Sequence, residues 1–136
     1  MLWNEDLESG IVSIDGQHKE LFRQASFLLD IAYRARASEM LQLFGQNLVT
    51  HCRHEEMLHT KMQYPKSRPH KQMHVNFVAE YQDMRERYET SKKDPKILVQ
   101  IYETVAEWLE NHIVTHDREF VDYLETLRES PIPAPQ

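Results

Sequence analysis

Residues 51–59 read His-Cys-Arg-His-Glu-Glu-Met-Leu-His, placing three imidazoles, two carboxylates and the only cysteine within nine positions. Which of them turn inward is decided by the segment around them. Leu41, Phe44 and Leu48 upstream, and Leu58 and Met62 downstream, recur at steps of three and four, the spacing of an amphipathic helix. His51 and Glu55 fall on that stripe, whereas His54, Glu56 and His59 fall to its flanks. Residues four apart stand one turn, about 6 Å, apart along a helix axis, so His51 and Glu55 can address one ion together. Cys52, beside this row, reads as a small buried hydrophobe.

Working outward, three further helices follow from periodicity and punctuation. Leu21, Phe22, Ala25, Leu28, Leu29 and Ala32 mark a first helix, with Ser13 or Asp15 able to cap its start. The helix carrying His51 can take Ser38 as its cap and stops before Tyr64-Pro65. A third opens after Ser67-Arg68 with Pro69 suited to the first position, and runs through His70, His74, Phe77, Tyr81, Met84 and Tyr88. The fourth opens at Asp94-Pro95 and runs through Ile97, Ile101, Val105, Trp108 and His112 to Leu127. Helices of roughly 20 to 30 residues with short connections predict an all-α, up-down-up-down four-helix bundle. No segment alternates with period two, so strands have no support. The 136 residues are expected to form a single domain over 1–136. Residues 1–13 form an irregular N-terminal arm that packs Leu2, Trp3 and Ile11 on the bundle, and residues 130–136 form a Pro-rich tail.

Composition narrows the function classes. A net charge of -6 opposes binding to nucleic acid, and the chain lacks the roughly 18 consecutive apolar residues of a membrane span. One cysteine and an opening without a secretory pattern lead us to expect a cytoplasmic protein with neither an internal disulfide nor a Cys-rich zinc site. Eight histidines beside three glycines are a heavy ligand load for helical material.

On the third helix His70-x-x-x-His74 repeats the geometry of His51-x-x-x-Glu55. The first helix adds His18, one turn before Leu21 and Phe22, and the fourth adds His112, one turn after Trp108. A lone His18 or His112 is more often a helix-end or surface residue. In conjunction the four helices bring inward polar groups to one level, where each would be costly without a partner. Beyond His112 the apolar stripe slips by one residue, because Phe120, Leu124 and Leu127 are in phase with Asp117 rather than His116. A π-bulge produces such a slip. By i,i+4 spacing alone His116 is the ligand; the chemistry of two ions sharing bridging carboxylates favours Asp117. The resulting set of five histidines and two carboxylates suits two transition ions better than calcium or magnesium, without choosing among iron, zinc, manganese and copper.

The set His18, His51-x-x-x-Glu55, His70-x-x-x-His74, His112-x-x-x-x-Asp117 resembles the ligand signature of the hemerythrin family. Ile14-Asp-Gly-Gln-His-Lys-Glu-Leu21, Tyr64-Pro65 ahead of His70, and Trp108-Leu-x-x-His-Ile113 resemble its single-domain bacterial members, so the likeness covers nearly the whole chain. The resemblance implies two non-haem iron ions. One takes His70, His74 and His112, the other His18 and His51, with Glu55, Asp117 and an oxo or hydroxo group bridging them. It implies dioxygen as a reversible ligand at the second, five-coordinate ion, with Trp108 and Leu109 as an apolar oxygen pocket. Cys52 departs from the phenylalanine that many bacterial relatives carry there. The expected function is reversible dioxygen carriage or storage without catalysis. The alternatives are an oxygen or redox sensor acting through a protein partner and a di-iron peroxidase or oxidase. An unidentified protein recipient of oxygen or signal fits the first two.

Overall fold

The sharpest boundary is the start of the fourth helix. The Asp94 carboxylate accepts from the Lys96 amide at 3.0 Å and Pro95, which needs no donor there, occupies the first position. In the computed structural model, which describes residues 3–129, this helix, α4 (Pro95–Asn111), continues through a π-helical stretch (His112–Asp117) into α5 (Arg118–Glu129). The other three are α1 (Val12–Ser26), α2 (Ala37–Lys61) and α3 (Ser67–Thr90). Contacts link α1 to α2, α2 to α3, α3 to α4 and α4 back to α1, closing an all-α four-helix bundle with no strand among the described residues.

The core is built from the predicted stripes: Leu21 and Phe22 of α1, Leu41, Phe44 and Leu48 of α2, Phe77 and Tyr81 of α3, Ile101 and Val105 of α4. Full burial of each such side chain is worth about 1.5–3 kcal/mol. Tyr81 ties α3 to the neighbouring α2, its hydroxyl donating to the Leu41 carbonyl at 2.5 Å. Gly45 makes room for it, since a Cβ there would stand 3.0 Å from Tyr81 Cε1. No helix among the described residues is long and apolar enough to cross a membrane.

Several boundaries differ from expectation. After Ser26 the chain tightens into 3-10 turns at Phe27–Leu29 and Ile31–Arg36, with Asp30 accepting from the Ala32 amide at 2.9 Å. The residue period falls from 3.6 to 3, so Leu29 (43% exposed) and Ala32 leave the predicted stripe. Ser38 does not cap α2, which begins at Ala37; its hydroxyl is buried without a partner among the described residues. Ser13 and Asp15 do not cap α1, which begins at Val12. The Asp15 carboxylate turns back instead, accepting from the Ser9 amide (2.9 Å), the Ser9 hydroxyl (2.8 Å) and the Gly10 amide (3.2 Å). That clasp folds the arm onto the bundle, with Gly10 supplying the turn at φ +86°. Pro69 is the third residue of α3, still within the turn whose amides have no intrahelical acceptor. In the arm, Glu5–Leu7 form a 3-10 turn, Leu7 is buried and Trp3 packs against the core. Leu2 and the tail 130–136 lie outside the described residues.

Candidate metal centre

Four helices deliver seven buried polar side chains to one level: His18 from α1, His51 and Glu55 from α2, His70 and His74 from α3, His112 and Asp117 from the π-helical stretch. The π geometry explains the last pair. Its wider turn carries an additional residue, so groups five apart share a face. Asp117 is 4% exposed and lies among the imidazoles, while the His116 side chain is 34% exposed and stands 3.8 Å from Glu119.

The seven divide into two groups, and the carboxylates span both. Glu55 Oε1 stands 2.7 Å from His70 Nε2 and 3.8 Å from His74 Nε2, while its Oε2 stands 3.1 Å from His51 Nε2 and 4.0 Å from His18 Nε2. Asp117 repeats the division. Its Oδ1 is 3.1 Å from His70 and 3.2 Å from His112, and its Oδ2 is 3.2 Å from His18. Ligand atoms of Glu55, His70, His74 and His112 lie within 4.8 Å of one another, as do those of His18, His51, Glu55 and Asp117. Three imidazoles therefore gather on one side and two on the other.

Outer partners set the tautomers. His51 Nδ1 donates to Gln17 Oε1 and His74 Nδ1 to Glu56 Oε2, each at 2.8 Å. The Nε2 of each then carries a lone pair. For His51 it faces Glu55 Oε2 and His18 Nε2, 3.0 Å away; for His74 it faces His112 Nε2, 3.1 Å away. These inward lone pairs stand beside buried Glu55 and Asp117 oxygens that have no hydrogen-bond partner among the described residues, a donor set that a cation would satisfy. The residues present thus fit two metal ions.

Burial shapes the charges. Burial, opposed by the Asp117 charge, lowers His51 to about 4. His74 falls further, through burial and the neighbouring His112 and His70. His70 is the exception: burial works against it, but hydrogen bonds with Asp117 and Glu55 lift it to about 9. Burial and then the charge of Asp117 push Glu55 up to about 8, whereas hydrogen bonds from Glu55 and the imidazoles overcome burial and hold Asp117 well below the usual carboxylate range.

Around this cluster the structure adds residues that sequence reasoning missed. Glu56 and Gln17 each neighbour a ligand candidate in the chain, but which nitrogen they reach depends on the helix packing. His59, expected on the flank, is fully buried. Its signal was the series 51, 55, 59 at steps of four. Trp108 stacks between Phe77 (4.0 Å between centroids) and His112 (4.3 Å). It borders the three-histidine group, not the two-histidine group where the resemblance puts the oxygen pocket; Leu109 is buried in the core. The tryptophan that approaches His18 is instead Trp3, at 6.3 Å between ring centroids. A cleft of about 170 Å³ beside His51 is lined by Gln17, Leu21, Gln24, Asn47 and Thr50. Cys52 is buried off the ligand row, with its thiol pushed up by burial and by the charges of Glu55 and Glu56.

Residues 9–124 match the family model described as the hemerythrin HHE cation binding domain. A protein named bacteriohemerythrin from Pseudomonas aeruginosa strain UCBPP-PA14 is 28% identical over 125 residues, which cover 90% of this chain and 80% of that protein. Another of the same name from Clostridium acetobutylicum is 24% identical over 128 residues, covering 89% of this chain and 98% of that protein.

Proposed function

The chain belongs to the hemerythrin family and its buried His/Glu/Asp cluster suits a non-haem di-iron site, and from that premise we propose that it binds dioxygen reversibly, as a carrier or store. His70, His74 and His112 would hold one iron and His18 and His51 the other, with Glu55 and Asp117 placed to serve both. The observation that carries this reading is the unequal division of ligands. With both carboxylates shared, five side chains would serve one ion and four the other, and the two-histidine side would be the one with room for a small ligand.

When bound, the iron pair supplies the electrons that make dioxygen binding possible. The protein's part is positioning. Gln17 and Glu56 fix the imidazole planes of His51 and His74, and such outer partners raise ligand basicity. The cleft beside His51 lies on the outer side of the two-histidine group. Trp108 and Phe77 stack over the three-histidine side, where they line a cleft of about 460 Å³ that His112 also borders. Five imidazoles against two carboxylates support a binding protein rather than an oxidase, which would carry additional inward carboxylates. We place it in the cytoplasm as a single domain, delivering oxygen to a partner still to be identified.

The test is oxygen uptake by the chain reconstituted with ferrous iron under argon. One dioxygen taken up per two irons, returned under argon without hydrogen peroxide, is the expected outcome. Steady oxygen consumption with peroxide release would overturn the proposal.

A further inference from the structure

One buried imidazole plays no part in the centre as described. His59 is 0% exposed, and neither ring nitrogen has a hydrogen-bond partner among the described residues. Buried polar groups are ordinarily paired, so a full imidazole left bare calls for a reason. Aromatic rings clamp it: Phe120 at 4.4 Å, His70 at 4.5 Å and Tyr64 at 5.0 Å between centroids. Within that clamp its Nε2 stands 3.8 Å from Glu55 Oε1, the same oxygen that lies 2.7 Å from His70 Nε2.

We propose that His59 is a positioning residue for the bridging carboxylate, its Nε2–H donating to Glu55 Oε1 when the two ions are in place. A carboxylate oxygen has two lone-pair sites, so Oε1 can serve an ion with one and accept an N–H with the other. Shortening the 3.8 Å contact to the roughly 2.9 Å of an N–H···O bond needs a shift of about 0.9 Å, within the reach of a small rotation of the Glu55 side chain. The clamp gives His59 little freedom to turn away. Gln17 and Glu56 hold imidazoles from outside; His59 holds the carboxylate that the two halves share. The inference rests on Glu55 bridging two irons, and not on what those irons bind.

The experiment compares His59→Gln, which keeps an N–H donor near the position of Nε2, with His59→Met, which has similar bulk and no donor. Two quantities are measured: the rate at which a ferrous chelator strips iron from the loaded full-length chain, and the melting temperature of the metal-free chain. We expect H59M to lose iron about 10- to 100-fold faster than the unaltered chain, the range typical of outer partners of metal ligands. Its metal-free form should melt at the same temperature or higher, because an unpaired polar group has gone. H59Q should retain iron nearly as well as the unaltered chain. Equal release from H59M and the unaltered chain would overturn the inference while leaving the di-iron reading standing; so would equally fast release from H59Q and H59M, a loss the donor cannot explain. An unaltered chain that holds no iron pair would remove the di-iron reading and this inference together.

Discussion

Replacing Asp117 with asparagine keeps the size of the side chain and removes its charge. In the structure each oxygen serves a different half of the centre: Oδ1 lies 3.1 and 3.2 Å from His70 and His112, and Oδ2 lies 3.2 Å from His18. An amide can offer an oxygen to one half only. The two-histidine group, with four candidate ligands, drops to three and should empty first. For magnitude, one unit charge acting on another at about 4 Å with an effective dielectric near 20 is worth about 4 kcal/mol, or about three decades of affinity. The assay is iron stoichiometry after equilibration with a graded series of chelator concentrations, with circular dichroism confirming that the bundle is intact. D117N should fall from two irons toward one at chelator levels the unaltered chain withstands. His116→Ala, at the margin of the site, should stay within about twofold of the unaltered chain. Full retention of both irons by D117N, or a comparable loss in H116A, would refute the assignment of the fifth-helix-proximal ligand to Asp117.

The metal-free chain should be most stable near pH 6.5. His51 and His59 are held near 4, so the stability they contribute is complete above 6.5 and is lost as pH falls through 4. His70 and Glu55, raised to about 9 and about 8, contribute stability that is lost as pH rises through those values. Melting temperatures from pH 4 to 9 should form a dome, and a monotonic trend would contradict these environments. Glu56→Ala leaves the His74 Nδ1 proton without its acceptor and should weaken iron binding about 10- to 100-fold by chelator competition. Cys52, buried with its thiol shifted upward, should resist a thiol reagent in the native chain and react fully in denaturant; rapid native reaction would place it at the surface.

The bundle was legible because its stripes are strict. Leu41, Phe44 and Leu48 predict the inward face of α2, and Asp94-Pro95 predicts a boundary that the structure reproduces to the residue. The slip between His112 and Phe120 foretold the π-helical stretch, since apolar residues must reach the core whatever the local turn. The first helix was overextended because Leu29 and Ala32 keep helical spacing through a segment that has already tightened to 3-10 geometry. Pairings between helices were not legible. Gln17 reaches His51 across 34 residues and Glu56 reaches His74 across 18, and those distances depend on crossing angle rather than spacing. His59 was hidden by Leu58, which continued the stripe equally well on paper, and Trp108 by a motif that gives its position in the chain but not the side of the cluster it covers.

The central claim is a pair of irons that takes up dioxygen and lets it go. The most direct measurement is the ultraviolet and visible spectrum of the iron-quantified protein, recorded in air, after deoxygenation and after air is readmitted. The account predicts two irons per chain and charge-transfer bands that bleach and return over repeated cycles. Two irons with bands that never return would contradict reversible binding, and a chain that takes up no iron would contradict the centre itself.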